Sequence, residues 1–429
     1  MDNKKIVIFG GGIFEDVRPH LALAVRAFGH TARKLNQICI QKAQSLDTEL
    51  ILTKMADPLN GLIVNRSDLL KAAEEVIADP LTKIVFFNAA VVDFEPGFIN
   101  RETQSASLLA SNWEAAPPGR LNSHFRHVSE LIPVSKIISK FRYEEGGRKD
   151  IFLVGWKATS GATPQQQYEQ GLNLLKKNSC NLVLANDIET RNCMIICPEE
   201  AVYHESTDLD YVLENLVEMT LLRSHLTFTR STVVAGESVP WDSELVPQTL
   251  RDVVDYCIER GAYKQFLGVT AGHFAVKLSD TTFLTSRRKT DFNDMKQVGL
   301  VLVETDGPDT VIAYGSKPSV GGQSQRIVFE QHPQDNCVVH FHCPLREGSQ
   351  VPVASQREYE CGSHACGNNT ATNLKQFGNL KAVMLDQHGP NIVFNSNIDP
   401  QEVIDFIEAN FNLEEKTGGY QLPKVSEKI

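Results

Sequence analysis

With 429 residues the chain is well past the length at which one hydrophobic core stops growing, so two domains are expected. Its 42% hydrophobic and 22% charged residues exclude a disordered chain. A formal net charge of −11 disfavours nucleic acid and anionic lipid as general partners. No apolar run reaches the ~18 residues of a membrane span. The start MDNKKIVIFGGG carries no secretory pattern, and nine cysteines in this length read as thiols or metal ligands, so a cytoplasmic protein is expected.

In chain order, Ile6 to Phe9 is a compact β-run ending in Gly10-Gly11-Gly12. Pro19 to Asn36 reads as a helix with Leu21, Leu23, Val25, Phe28 and Leu35 as its apolar stripe. Strands are expected at Leu50–Thr53, Lys83–Phe87, Ile151–Gly155 and Asn181–Ala185, with helices at Ser67–Ile77, Gln165–Lys177 and Asp208–Arg223. This alternation implies a parallel sheet covered on both faces. Between Asp93 and Pro133 the periodicity fails around Pro96, Pro117, Pro118 and Gly119, as in a functional loop or lid.

Residues 231–247, polar with two prolines, read as an inter-domain connection. A helix at Pro247–Arg260 follows, then strands at Phe274–Leu278, Thr282–Thr285, Gly299–Glu304, Thr310–Tyr314 and Cys337–Phe341. Helices are expected near Ser324–Gln331, Asn369–Phe377 and Pro400–Phe411. The fold class is α/β throughout. A Rossmann-like parallel-sheet domain at 1–228 and a linker at 229–246 precede a three-layer α/β/α domain at 247–429 with a mixed sheet.

The glycine turn 10–12 after a strand would let the backbone approach a phosphate closely. It is not a dinucleotide fingerprint, because the third glycine of GxGxxG would fall at Glu15. A tight strand-to-helix turn explains it equally well. Asn88-Ala89-Ala90 with Asp93, and Asn186-Asp187, lie just past strand ends, where open parallel sheets bind ligands.

The stretches GGGIFEDVRP (10–19), NAAVVDFEP (88–96), LIPVSKIISKFR (131–142), LVGWKATSG (153–161) and NLLKKNSCNLVLANDI (173–188) stand in order along residues 5–225. In these the N-terminal half resembles the phosphopantothenoylcysteine synthetase family, the ligase half of the bifunctional coenzyme A flavoproteins. The resemblance implies a nucleoside triphosphate, CTP or ATP with magnesium, held by Gly11, Asn88, Ala90, Asp93, Gly155, Lys157, Asn186 and Asp187. It also implies activation of a carboxylate as an acyl nucleotide. The chain departs from the family at Gly119-Arg120-Leu121-Asn122-Ser123, where two lysines of a basic segment are replaced by Arg120 and Asn122. An asparagine supplies no charge to a developing phosphoryl group. Arg18-Pro19-His20-Leu21 likewise stands where a serine- and glycine-rich segment is expected. Nucleotide binding is therefore expected over synthesis.

In Cys337-Val338-Val339-His340-Phe341-His342, residues two apart on a strand share one face, so both imidazoles would project together. His388 follows the apolar strand Ala382–Leu385. Three imidazoles with an open fourth position describe a catalytic divalent-metal site, often zinc, although isolated histidines are more often hydrogen-bonded core or surface residues.

The framing Ala271-Gly272-His273-Phe274-Ala275-Val276, then Phe283-Leu284-Thr285-Ser286, Gly315 to Ser319, the HxH strand and LDQHG follow one another over residues 245–415. In that order the C-terminal half resembles the class II aldolase/adducin family, typically tetrameric metal-dependent lyases, epimerases or dehydratases acting on small sugar phosphates. The resemblance implies His340, His342 and His388 as metal ligands. It implies Gly272, Thr285, Ser286, Ser316 and Ser319 around the substrate phosphate, where this chain's own Arg287 is also expected, and a homo-oligomer. The metal would polarise a carbonyl and stabilise an enediolate.

This half departs from its family too. Pro318-Ser319 is followed by Val320-Gly321, so the catalytic glutamate that follows such a pair in the aldolases is missing. Arg287-Arg288-Lys289 replaces threonine-glycine, either to hold a more highly charged anion or as a solvated turn. Proton transfer is expected from Glu360 first and Glu358 second, unless both are surface residues. Cys361-x4-Cys366 around His364 reads as buried thiols before a second metal site.

A metal-dependent lyase acting on a small phosphorylated or carboxylated molecule is thus expected, fused to a nucleotide-binding domain. Two alternatives stand beside it: a nucleotide-dependent acid–amine ligase, and a non-catalytic metabolite-binding or assembly protein.

Overall fold

The computed structural model of the chain describes residues 4–18, 20–98, 129–143 and 146–422. It has two compact units, Met1–Thr159 with Asn173–Cys193 and Ser206–Ser224, and Ser160–Leu172 with Met194–Glu205 and His225–Ile429. The division differs from the expected boundary at 228, because two segments inside the first half are counted with the second unit. Their side chains engage residues of that unit: Tyr168 stacks on Tyr420 with ring centroids 4.8 Å apart, and the Tyr203 hydroxyl donates to the Asp386 carbonyl at 3.2 Å.

In the first unit five parallel strands run in the order Asp47–Leu52, Lys5–Gly12, Thr82–Ala90, Phe152–Thr159 and Leu182–Asp187. Their apolar runs are continuous rather than alternating. Ile6, Val7, Ile8 and Phe9 are all fully buried, as a sheet covered on both faces requires. The helix Arg66–Ala78 starts where expected because Asn65 and Asp68 form a reciprocal capping box.

The expected helix from Pro19 does not form. Phe14–Arg18 and Leu21–Ala24 make an antiparallel hairpin, and the helix begins only at His30, after Gly29 turns the chain with φ 74. Leu21, Val25 and Phe28 are exposed, whereas Leu35 is buried. Residues 21, 23 and 25 are spaced by two, which is the period of a strand. Within the long segment after Asp93, Phe94–Phe98 pairs with Ser129–Pro133. Arg120 and Asn122, and Pro19, lie outside the described residues.

The second unit holds a ten-stranded mixed sheet whose main path runs from Arg230–Val234 through Thr310–Tyr314, Leu300–Thr305, Thr282–Ser286, His273–Lys277, Cys337–His340, Gly389–Phe394 and Leu380–Leu385 to Val353–Ala354. Alternate residues sort onto two faces. Phe274, Val276, Cys337, Val339, Ile392 and Phe394 pack with Leu250, Val253, Val403 and Ile407 of the helices Gln248–Glu259 and Pro400–Asn410. Ala275, Val338 and Val393 pack with Val328, Phe329 and Ala371 of the helices Val320–Gln331 and His364–Asn373. Helices on both faces of a mixed sheet are the three layers expected.

Two expectations change here. The polar stretch 229–246 is not a free connection: Arg230–Val234 is an edge strand parallel to Thr310–Tyr314, and Trp241 and Val246 are buried in the core. The helix expected at Asn369–Phe377 runs instead over His364–Asn373, started by Ser363, whose side chain accepts from the Cys366 amide, and Lys375–Phe377 is a short strand. Among the described residues no helix is long and apolar enough to cross a membrane.

Candidate metal centre

The strand Cys337–His340 ends at His340, so His342 stands two residues beyond it rather than within it. His340 shares the parity of Val338, which puts its ring on the face covered by the helices Val320–Gln331 and His364–Asn373. Across the ladder it faces His273 on one neighbour and Asn391 on the other. His388 sits in the turn between the strands Leu380–Leu385 and Gly389–Phe394, its amide donating to the Leu385 carbonyl at 3.0 Å. Loop, strand end and hairpin turn thus bring His340, His342 and His388 together. All three are buried, and one ligand atom from each lies within 4.8 Å of the other two.

The chemistry of this set suits a cation. His340 Nδ1 lies 2.7 Å from the Pro390 carbonyl oxygen, which can only accept, so Nδ1 carries the proton and Nε2 keeps its lone pair. Burial above all, with the rings of His388, His273 and His342, holds His340 well below the usual imidazole range, in the neutral form that binds metal. His340 Nε2 is 3.3 Å from His388 Nε2. Nitrogens at about 2.0–2.1 Å from a tetrahedral zinc would stand about 3.3 Å apart. The residues present therefore fit a divalent ion.

A small cavity beside this cluster is lined by His273, Ser324, His340, Cys361, His388 and Asn391, among others. Burial and His342 push His273 down to about 3. Glu360 is buried and directly precedes Cys361. Glu358 is half-buried and engaged locally, accepting from the Ser355 hydroxyl at 2.7 Å and standing 3.7 Å from Arg357. Cys366 packs against Ala354, Val383 and Leu385, and the His364 ring meets the Thr229 hydroxyl at 2.8 Å.

The expected phosphate residues divide. Thr285 and Ser286 are buried at the end of their strand, and the Ser319 amide donates to the Ser286 carbonyl at 2.9 Å, which brings them to the N-terminus of the helix Val320–Gln331. The same helix carries Ser324 into the cavity. Ser316 lies in the turn before this helix start. Gly272 (φ 110) serves packing: a Cβ there would fall 2.5 Å from the His340 carbonyl oxygen. Arg287 donates to the Val298 carbonyl at 2.9 Å, which is a structural use of that guanidinium.

In the first unit the parallel register aligns Gly10 with Asn88, Gly12 with Ala90, and Ala158 and Thr159 with Asn186 and Asp187, all at the carboxyl edge of the sheet. Asp93 pairs there with Lys136 at 2.9 Å. Burial foremost, then Lys136, hold the Lys157 ammonium below its usual range against the pull of Asp93. Several expected nucleotide residues are occupied by the fold itself. A Cβ on Gly11 would meet Thr53 Oγ1 at 2.1 Å, and the Gly12 amide donates to the Ala27 carbonyl at 2.7 Å. Gly155 packs on Ile138 and Cys180. Asp187 accepts from the Thr159 hydroxyl and from the Glu189 and Thr190 amides, closing a turn.

Residues 251–347 match the family described as Class II Aldolase and Adducin N-terminal domain. The C-terminal half resembles the class II aldolase/adducin family. The N-terminal half resembles the phosphopantothenoylcysteine synthetase family. Among solved structures, the DNA/pantothenate metabolism flavoprotein from Streptococcus pneumoniae is 22% identical over 50% of this chain and 97% of that one, with a TM-score of 0.42. The C-terminal domain of the coenzyme A biosynthesis bifunctional protein CoaBC is 18% identical over 52% and 97%, with a TM-score of 0.35. L-fuculose-1-phosphate aldolase from Thermus thermophilus is 20% identical over 39% and 86%, with a TM-score of 0.28. A comparison with curated protein sequences gives no match.

Around the three histidines the structure adds residues that the sequence had not assigned to the site. His273 was visible only as part of a glycine-histidine framing, and its ring centroid lies 4.7 Å from that of His340. Glu200, from the other half of the sequence, places Oε2 3.7 Å from His342 Nδ1. Thr417 donates its hydroxyl to the His388 carbonyl at 2.9 Å and its amide to the His342 carbonyl at 3.1 Å.

Proposed function

We propose that the C-terminal half is a divalent-metal-dependent lyase, an aldolase, dehydratase or epimerase, acting on a small phosphorylated or carboxylated sugar-like molecule. His340, His342 and His388 would hold the metal, with zinc suited to an all-imidazole set. The observation that carries this reading is the convergence of three buried imidazoles, one with its tautomer fixed by a backbone carbonyl. The ion, when bound, supplies Lewis-acid polarisation of a substrate carbonyl.

The rest falls to the chain's own side chains. Thr285, Ser286 and Ser319, near the start of a twelve-residue helix, would seat a phosphate on backbone donors, with Gly272, Arg287 and Ser316 around them. Glu360, buried beside the cavity stretch, would move the proton at the carbon next to the carbonyl, and Glu358 is the second choice. A homo-oligomer in the cytoplasm with a small-molecule substrate, and with neither nucleic acid nor membrane as partner, completes the proposal. Metal analysis of the purified protein and of His342→Ala tests it, together with a panel of sugar phosphates assayed for carbon–carbon cleavage, dehydration and epimerisation. Stoichiometric metal lost in the variant supports the reading, and metal-free wild type overturns it.

A second reading rests on the first unit. Asn88, Ala90, Asp93, Lys157 and Asn186 meet at one sheet edge, where a CTP or ATP with magnesium would bind. Arg120 and Asn122, in place of the two lysines of the basic segment, favour binding over acyl-nucleotide synthesis. Formation of an acyl nucleotide from CTP or ATP with a panel of acids would reverse that preference.

A further inference from the structure

Glu200 lies in the segment Met194–Glu205, which belongs to the same compact unit as the three histidines although it comes from the other half of the sequence. The carboxylate is 3% exposed. Its backbone has φ 67, in the left-handed region that residues with a Cβ rarely adopt, and the turn is tied by the Glu200 amide donating to the Cys197 carbonyl at 2.9 Å. A strained backbone under a buried acid is a recurrent mark of a functional position.

What surrounds the turn explains how it persists. The Glu200 carbonyl accepts from the Tyr168 hydroxyl at 2.8 Å and from Lys416 Nζ at 3.1 Å. Lys416 is itself fully buried, with Nζ 4.0 Å from Glu200 Oε2, so the carboxylate's charge is balanced inside the protein. The next residue, Thr417, holds the backbone carbonyls of His342 and His388. One buried pair, Glu200 with Lys416, is thus joined to two of the three candidate ligands.

We propose that Glu200 is a positioning residue for the metal centre, its carboxylate accepting from His342 Nδ1 so that the other ring nitrogen is turned, unprotonated, towards the cation. The inference rests on the reading of His340, His342 and His388 as metal ligands. The separation of 3.7 Å is a few tenths of an ångström beyond hydrogen-bond length, a gap a small ring rotation closes. His340 is oriented by the Pro390 carbonyl. An anion behind His342 does more than a carbonyl, because it also raises the ring's basicity as a ligand. The N-terminal sequence thereby contributes to the chemistry of the C-terminal one, which gives the fusion of the two a physical consequence.

The test uses the full chain with zinc and cobalt(II). Zinc affinity is measured by chelator competition for wild type, Glu200→Gln, Glu200→Ala, the charge-neutral double variant Glu200→Gln with Lys416→Met, and His342→Ala. Visible spectra of the cobalt forms and metal-free melting curves accompany it. Loss of an outer-shell partner typically costs 10–100-fold in metal affinity. Glu200→Ala should show about that loss with a shifted cobalt spectrum, and Glu200→Gln, which keeps an acceptor oxygen, a smaller one. The double variant should bind zinc no better than Glu200→Gln while melting like wild type without metal. If wild type binds one zinc and every Glu200 variant binds it equally tightly with an unchanged spectrum, the role of Glu200 is overturned and the ligand set stands. If wild type binds no zinc, or binds it as tightly after His342→Ala, the ligand reading fails and this inference falls with it. Should Glu200→Ala not fold, the isosteric Glu200→Gln and the double variant decide the matter alone.

Discussion

Replacing His342 by Ala removes one of three converging imidazoles at a position just outside the strand Cys337–His340. A four-ligand structural zinc binds with about 10–16 kcal/mol, so one ligand accounts for about 3–4 kcal/mol, or 10²–10³-fold in affinity. At zinc 100-fold above the wild-type dissociation constant, binding stabilises the folded state by about 2.7 kcal/mol. For a unit of this size that is a rise in melting temperature of about 5–11 °C. At the same zinc concentration a variant weakened 100-fold is only half loaded, and its rise falls to about 1–2 °C. The assay is differential scanning fluorimetry with and without zinc on both proteins. The zinc-dependent shift is compared rather than the absolute melting point, since deleting a buried ring also leaves a cavity. Equal shifts in the two proteins would refute the assignment of His342 as a ligand.

Other outcomes follow from the same geometry. Glu360→Gln should lower turnover about 10²–10⁴-fold with metal content unchanged, and Glu358→Gln should change it only a few-fold, measured as solvent-deuterium incorporation next to the substrate carbonyl. Gly11→Ala forces a side chain onto Thr53 and Ala56 at φ 103 and should destabilise the first unit by about 2 kcal/mol or more, seen as an earlier melting transition with zinc binding intact. Burial pushes the Cys39, Cys180 and Cys343 thiols up to about 12, so at pH 8 they stay protonated and should resist alkylation until denaturant is added. Half-buried Cys361 should be labelled first, as read by mass spectrometry of the peptides.

The parallel sheet and the pairing of His340 with His342 were legible because each is written in short-range pattern, whereas His388 was joined to that pair only through the family resemblance. Continuous apolar runs such as Ile6 to Phe9 state that both faces are covered, and histidines two apart near a strand end point to one face, although the loop after His340 completes the placement of His342. The hairpin after Gly12 was missed because Leu21, Leu23 and Val25 were assigned to a helix face although their spacing is that of a strand. The start of the helix His364–Asn373 was missed because its first turn is polar and only Ser363 marks it. The strand hidden in 229–246 shows that a polar, proline-containing stretch can still add an edge to a sheet when the neighbouring strand Thr310–Tyr314 offers one. Glu200 and Lys416 left no trace in any local pattern, since their meeting with His342 is set only by the tertiary fold. Conversely, the glycines at 10–12 were read as a phosphate approach or a tight strand-to-helix turn, while the structure keeps them in the strand and uses them to bring Val25 to Ala27 and Thr53 to Ala56 against it.

The central claim is that one cation sits among His340, His342 and His388. Anomalous diffraction at the zinc edge from crystals of the full chain tests it most directly. A single strong peak is expected about 2.0–2.1 Å from one nitrogen of each of the three rings. A zinc-replete crystal with no peak there, or with its peak elsewhere, contradicts it.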